Sequence, residues 1–298
     1  MSKSIGNNVI LYANQSSMTL EQLETQVQQT RRDILRMVHA VNSGHPGGSL
    51  GCTEFFVALY GKIMDYSTDF KMDGIGEDLF FLSNGHISPV LYSTLARSGF
   101  FPVEELKTFR KINSRLQGHP TTHDGLPGIR VASGSLGQGL SVGIGAALSK
   151  KLNKDDKLVY TLHGDGELQE GQVWEAFMYA AANNVDNLIA TIDYNGRQID
   201  GDTKDVLDLG DLHAKLTAFG WKVSEEKDGN DLEKVIAILE KAKSQTGQGK
   251  PVVILLHTEM GNGVDYMMGT HEWHGKAPND ELLEKALEQN PETELKDY

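Results

Sequence analysis

The chain has 298 residues, room for one large domain or two modest ones, and is long enough to bury about three quarters of its unfolded surface. A formal net charge of −13 with no basic stripe argues against nucleic-acid binding, and no apolar run approaches the ~20 residues that would cross a membrane as a helix. A single cysteine, Cys52, excludes an internal disulfide and fits a reducing cytoplasm, while 32 glycines point to turns that approach a ligand closely.

Residues 1–18 are polar and lack the apolar core and cleavage site of a signal peptide, so they read as a flexible extension. Within them Asn14-Gln15-Ser16 matches a glycosylation acceptor, which has no consequence without secretion. No linker divides the remainder, and one domain is expected over 19–298. Thr19 and Gln22 form a capping box that opens a helix. Leu20, Leu23, Val27, Ile34, Val38 and Val41 recur at helical spacing, and the helix is expected to stop where Gly44 permits a left-handed turn. His45 then lies just past that end, in a loop fixed by Pro46. Residues 53–64 read as a second apolar helix, and Phe80-Phe81-Leu82 as a short strand leading into Ser83-Asn84-Gly85-His86.

The run Gly134 to Gly145 is a glycine-rich loop entering a small-residue helix over Ser141–Leu148. Its N–H groups could bind an anion, and Gly139, Gly143 and Ala147 equally suit close helix packing. Next come a strand at Leu158–Leu162, a helix at Gln172–Asn184 and a strand at Leu188–Ile192. A helix at Glu233–Lys243, a buried strand at Pro251–Leu256 and a surface helix at Asn279–Gln289 complete the pattern, followed by an acidic tail expected to be solvated.

Asp165, in His163-Gly164-Asp165-Gly166-Glu167, follows one of these strands, and Asn195, thirty positions later, follows the next. One carboxylate and one carboxamide at the carboxyl ends of two strands of a βαβ unit sit where open parallel sheets bind ligands. Two hard oxygen ligands suit Mg²⁺, which takes its remaining ligands from water and phosphate. The residues therefore predict a diphosphate held through a metal ion.

Gly-Asp-Gly answered by a distant Asn resembles the thiamine diphosphate signature, and the surrounding motifs resemble transketolase from Thr30 to Ala277. These motifs are Ser43-Gly44-His45-Pro46-Gly47-Gly48, Ser83-Asn84-Gly85-His86, Gln117-Gly118-His119-Pro120, Gly134-Ser135-Leu136-Gly137-Gln138-Gly139, Gly164 through Gly171, and His271-Glu272-Trp273-His274-Gly275. The resemblance implies a three-layer α/β thiamine diphosphate-binding fold with a mostly parallel sheet flanked by helices. It implies Mg²⁺ (with Ca²⁺ or Mn²⁺ as substitutes) held by Asp165, Asn195 and the Arg197 carbonyl. Gly134, Leu136, Gly166, His86 and His274 are implied cofactor contacts.

By the same resemblance, His45 and His274 meet the substrate carbonyl and relay protons, His119 bonds the two-carbon fragment, and His86 sits between diphosphate and reactive centre. His163 stands where a small or apolar residue is usual, and either touches the cofactor region or caps a strand. Ser135 stands where many transketolases have proline, and Glu170 resembles an acid at a subunit interface. His39 reads as structural.

Transketolases are about twice this length, so the resemblance implies the N-terminal half of a split enzyme. A C-terminal, pyrimidine-binding partner would supply the activating glutamate and most sugar-phosphate arginines, in an α₂β₂ assembly. The implied reaction is transfer of a two-carbon ketol unit from a ketose phosphate to an aldose phosphate in the cytoplasm, with the pentose-phosphate set as default. A deoxyxylulose-phosphate synthase-like subunit and a 2-oxoacid dehydrogenase α-like subunit are the alternatives; the forms of the His86 and His119 motifs and the fourfold histidine set favour transketolase.

Overall fold

The computed structural model of the chain describes residues 3–5, 9–11 and 18–298. The segments Lys3–Ile5 and Val9–Leu11 pair as an antiparallel hairpin; the flexible extension expected over 1–18 otherwise falls outside the described residues. Met18 is buried.

Five strands form one parallel sheet: β1 (Leu79–Leu82), β2 (Val159–Gly164), β3 (Leu188–Asp193), β4 (Lys222–Glu226) and β5 (Val252–Leu256), in spatial order β1-β2-β3-β5-β4. Burial on both faces explains why β1 and β5 read as unbroken apolar runs and β3 as one interrupted only by Thr191 before its terminal Asp193. Alternate side chains feed two separate cores. Phe80, Leu82, Tyr160, Leu162, Ile189 and Ile254 point to one, while Leu79, Phe81, Val159, Leu188, Ala190 and Val253 point to the other.

The first core is covered by α1 (Leu20–Ala40), α2 (Pro46–Gly51), α3 (Thr53–Ala58, running into a π-helical turn at Leu59–Ile63), α4 (Ser88–Arg97) and α9 (Leu232–Ser244). The second is covered by α5 (Gly139–Leu152), α6 (Gly171–Ala182) and α8 (Leu212–Ala218). α10 (Asp280–Gln289) packs on α1 at the edge of the first core through Ala286, and a short α7 (Thr203–Leu207) lies outside both layers. The result is the three-layer α/β architecture expected.

The capping box of α1 is present in both directions, with Thr19 and Gln22 each serving the other's backbone. The left-handed residue that ends α1 is Asn42 (φ 47°), not Gly44 as the sequence suggested. Asparagine tolerates that conformation through its short polar side chain. Gly44 (φ 138°) is needed for another reason: a Cβ there would lie 2.6 Å from Val38 Cγ1. The second apolar helix begins at Thr53 as expected, and a separate helix the sequence did not suggest, α2, precedes it, opened by Pro46 at a first helical position directly after His45.

The acidic tail is only partly solvated: Glu292 and Glu294 are exposed, but its end is docked. Asp297 accepts from Arg32 Nε (2.9 Å), Arg32 Nη2 (2.7 Å) and Gln29 Nε2 (2.9 Å), and Arg36 stacks on the Tyr298 ring at 4.4 Å. Burial raises the Asp297 carboxyl, but the Arg32 hydrogen bond and the other donors outweigh it and bring it down to about 2. Basic residues on the outer face of α1 recruit the tail, a long-range pairing that local charge counting does not show.

Candidate active site

The register of the sheet places the two signature turns side by side. Gly164 lies opposite Asp193, and Asp193 opposite Leu256, so β2, β3 and β5 end at one level. Asp165 is 1% exposed. Its Oδ1 accepts from the Gly166 N–H (2.8 Å) and its Oδ2 from the Gly196 N–H (2.7 Å). Asn195 Oδ1 accepts from the Arg197 N–H (2.9 Å), and Asn195 Nδ2 donates to Asp193 Oδ2 (2.8 Å). Burial pushes the Asp165 carboxyl up to about 8, with the Asp193 charge adding to the rise and the Gly196 and Gly166 N–H groups opposing it. Two neighbouring buried carboxylates, with no cationic side chain paired to either among the described residues, are a place that a cation stabilises. The Asn84 Oδ1 and Gln198 Oε1 atoms nearby are buried and unpartnered. Oxygen-rich donors, two buried carboxyls that resist ionising without a cation, and orphaned polar atoms fit a hard dication with a diphosphate.

The four histidines expected to act together do meet. His45 to His86 is 5.1 Å between ring centroids, His45 to His274 5.6 Å, His86 to His274 5.0 Å and His45 to His119 6.4 Å. Each is delivered by a different element. His45 is the N-cap residue of α2, and His86 occupies a 3₁₀ turn, Gly85–Ile87, between β1 and α4. His274 is brought in because Gly47 N–H donates to the Trp273 carbonyl (3.1 Å), which ties its loop to α2. His119 lies over Gly134 (φ 119°), where a Cβ would come within 2.7 Å of the imidazole, so the loop can pass only as glycine.

All four imidazoles are held below the ordinary range, by burial first. His45 falls to about 4, with His274, Arg110 and His119 adding to the effect. His86 is lowered by burial and then by the other three histidines, His119 by burial and Arg110, and His274 by burial, with Asp200 opposing. At neutral pH the cluster is a set of uncharged rings, each able to donate from one nitrogen and accept at the other. His45 Nδ1 is buried without a partner.

A small hairpin, Arg197–Gln198 with Gly201–Asp202, joins the two halves of the site. Gln198 lies 3.1 Å from where a Gly166 Cβ would stand, and Ile199 lies 3.5 Å from the same position at Gly275.

Residues 23–293 match the transketolase, thiamine diphosphate binding domain family. The chain belongs to that family. Its relatives include an apulose-4-phosphate transketolase subunit of Phocaeicola vulgatus, 40% identical over 270 residues, which cover 91% of this chain and 94% of that protein. The 6-deoxy-6-sulfo-D-fructose transketolase subunit SqwG of a Clostridium species is 38% identical over 266 residues, 89% of this chain and 94% of that protein. The transketolase of Leishmania mexicana superposes with a TM-score of 0.83 at 30% identity, covering 90% of this chain and 41% of that one; the Campylobacter jejuni transketolase gives 0.83 at 31%, covering 92% and 43%. The chain thus matches separate transketolase subunits over almost their full length, and spans about two fifths of the solved transketolases.

Several residues of this transketolase domain escaped the sequence reading. Glu167, 2% exposed, accepts from Gly137 N–H (2.7 Å), Gly164 N–H (3.2 Å) and the Ser83 hydroxyl. It clamps the glycine-rich loop to the Asp165 turn. Consequently the Gly137 and Gly139 N–H groups are taken by Glu167 and by Ser83 Oγ (3.0 Å) and are not free for an anion. Gly139 and Gly143 pack closely on Ser83 and Thr161, as the packing alternative held. Leu136 presents its carbonyl to Gln172 Nε2 at 3.3 Å. His163 is buried inside β2, its Nε2 2.8 Å from Thr161 Oγ1 and its Nδ1 3.8 Å from Glu167. His39 lies on the surface of α1 and pairs with Asp280 at 2.8 Å. Glu170 is exposed at the start of α6. Asp193 and Thr258 were also missed; a buried acid two residues before the Asn is a signal that the Asp-x-Asn spacing contains.

Proposed function

We propose that this chain is the diphosphate-binding subunit of a two-subunit transketolase that moves a two-carbon ketol unit from a ketose to an aldose. The observation that carries the reading is the pairing of the Asp165–Asn195 turns with a cluster of four neutral histidines at the same end of the sheet. Asp165, Asn195 and the Arg197 carbonyl would hold Mg²⁺, with Gly134, Leu136, Gly166, His86 and His274 around the cofactor. Bound thiamine diphosphate supplies the carbanion chemistry that side chains cannot.

The chain's own residues supply the rest. Neutral His45 and His274 give the substrate carbonyl oxygen a hydrogen-bond donor and can receive a proton in return, since each ring keeps one basic nitrogen. His119 holds the hydroxymethyl end of the two-carbon unit over Gly134. Burial of the cluster excludes water, which would otherwise compete for the fragment in transit.

The two subunit relatives are named for ketoses that carry a phosphate or a sulfonate. We extend that class, a ketose with an anionic far end, to this chain, with the pentose phosphates included. Recognition of the anion and activation of the cofactor fall to a C-terminal, pyrimidine-binding partner, in an α₂β₂ assembly in the cytoplasm.

Mixing the chain with a candidate partner subunit, thiamine diphosphate and Mg²⁺ tests this directly. Ketol transfer is expected only when all four are present. Robust turnover by the chain without a partner refutes the split arrangement.

A further inference from the structure

Asp193 closes β3 two residues before Asn195, and its side chain is buried at 2% exposure. It accepts from three side chains: the Thr258 hydroxyl at Oδ1, the Cys52 thiol, and Asn195 Nδ2 at 2.8 Å on Oδ2. Its main-chain carbonyl accepts the Asp165 N–H at 3.1 Å. One residue therefore touches both proposed metal ligands, the first through its backbone and the second through its carboxylate.

The consequence lies in the chemistry of the carboxamide. Its two ends have nearly the same shape, so packing alone does not decide which faces the ligand; hydrogen-bond partners do. A hard dication accepts the oxygen only. Asp193 receives donors at both oxygens, Thr258 at Oδ1 and Asn195 Nδ2 at Oδ2, so it takes the nitrogen of Asn195. The Arg197 N–H at 2.9 Å, a donor, demands the oxygen from the other side. Asn195 Oδ1 is left with a lone pair in hand, and rotating the amide would set its oxygen against a buried carboxylate and its nitrogen against an N–H.

We infer that Asp193 is a positioning residue for the metal centre: it fixes Asn195 with its oxygen outward and sets the height of Asp165, without itself ligating the cation. Thr258 and Cys52 hold Asp193 in turn, so β5 and α2 support the site from behind. This inference rests on Asp165 and Asn195 being the ligands, as proposed above.

A swap of the two side chains tests it. In Asp193→Asn the amide at 193 presents a donor or an oxygen that no longer forces the orientation of Asn195. In the double variant Asp193→Asn with Asn195→Asp, an amide at 193 donates to a carboxylate at 195, which restores both the hydrogen bond and an oxygen ligand. The readout is Mn²⁺ affinity of the full chain by electron paramagnetic resonance titration with thiamine diphosphate present, with folding followed by circular dichroism. D193N is expected to bind Mn²⁺ about 10–100-fold more weakly, the usual cost of losing a partner behind a ligand. The double variant is expected to return to within about tenfold of wild type. An unchanged affinity in D193N, or a double variant no tighter than D193N, overturns the inference. If D193N does not fold, the double variant decides alone, by binding within that range or failing to. Wild-type chain that takes up no Mn²⁺ with the cofactor present sinks the proposed function, and this inference with it.

Discussion

Asp165 and Gly196 are joined by a 2.7 Å hydrogen bond from the Gly196 N–H to Asp165 Oδ2. The bond makes one structure of two turns that lie thirty positions apart, and it places Asn195 beside the carboxylate. Parallel strands of equal length and an intervening helix make that meeting a matter of register.

The histidine cluster predicts a catalytic defect that is separable from folding. Substituting His274 with Ala in the reconstituted enzyme should lower turnover about 10²–10⁴-fold, the range for a lost proton-transfer group. Its ring lies at the surface of the site and packs on two other imidazoles, so the chain should keep its fold by circular dichroism. Unchanged turnover contradicts the assigned role.

Burial of His45 predicts a pH dependence. Its folded value of about 4 lies below the ordinary 6.5 because burial, then His274, Arg110 and His119, disfavour the charged ring. The unfolded chain takes up the proton that the folded chain refuses. Stability from this group is thus fully present above pH 6.5 and is lost as the pH falls through about 4. His45→Gln should flatten the wild-type fall in stability between those values by at most about 3 kcal/mol. Denaturant unfolding at a series of pH values measures it, and parallel curves for the two proteins contradict this role of His45.

Glu167 predicts a coupling between loop and turn. Its removal strands the Gly137 N–H, the Gly164 N–H and the Ser83 hydroxyl in a buried place. Glu167→Ala should cost about 2–4 kcal/mol of stability and raise amide hydrogen exchange at Gly137. Protection unchanged at that amide would show that the glycine-rich loop is held by other means.

Much of this was legible in the sequence. The strands at β1, β2, β3 and β5 were visible because a doubly covered parallel strand is mostly apolar, and the capping box marked the start of α1 to the residue. β4 was not: Lys222, Glu225 and Glu226 make an edge strand that looks like a solvated loop, and its pairing with β5 is seen only in three dimensions. The four histidines were found through their motifs, since nothing local to His45 or His119 says that their rings will stand 6.4 Å apart. Glu167, Asp193 and Thr258 act on residues brought close by folding, and their charges or hydroxyls look ordinary in a linear reading. The tail was misjudged for the same reason, because Arg32 and Asp297 find each other across 265 positions.

The tail contact gives a stability prediction of its own. Asp297→Ala should cost about 2 kcal/mol at neutral pH, as expected for a charged hydrogen-bonded pair whose arginine stays buried. Thermal unfolding measures it, and a melting temperature equal to that of wild type would show that the tail's other contacts dock it without the Arg32 pair.

Everything proposed for the site depends on Asp165 and Asn195 gripping a divalent cation that carries the cofactor's diphosphate. The most direct measurement is the melting temperature of the chain with thiamine diphosphate alone, Mg²⁺ alone and both together, for wild type and for Asp165→Ala. A rise of several degrees is expected in wild type only when both are present, since ligand at about 100 times its dissociation constant adds about 2.7 kcal/mol, and no rise is expected in the variant. An equal rise in Asp165→Ala, or a rise with the cofactor that is indifferent to Mg²⁺, would contradict that grip.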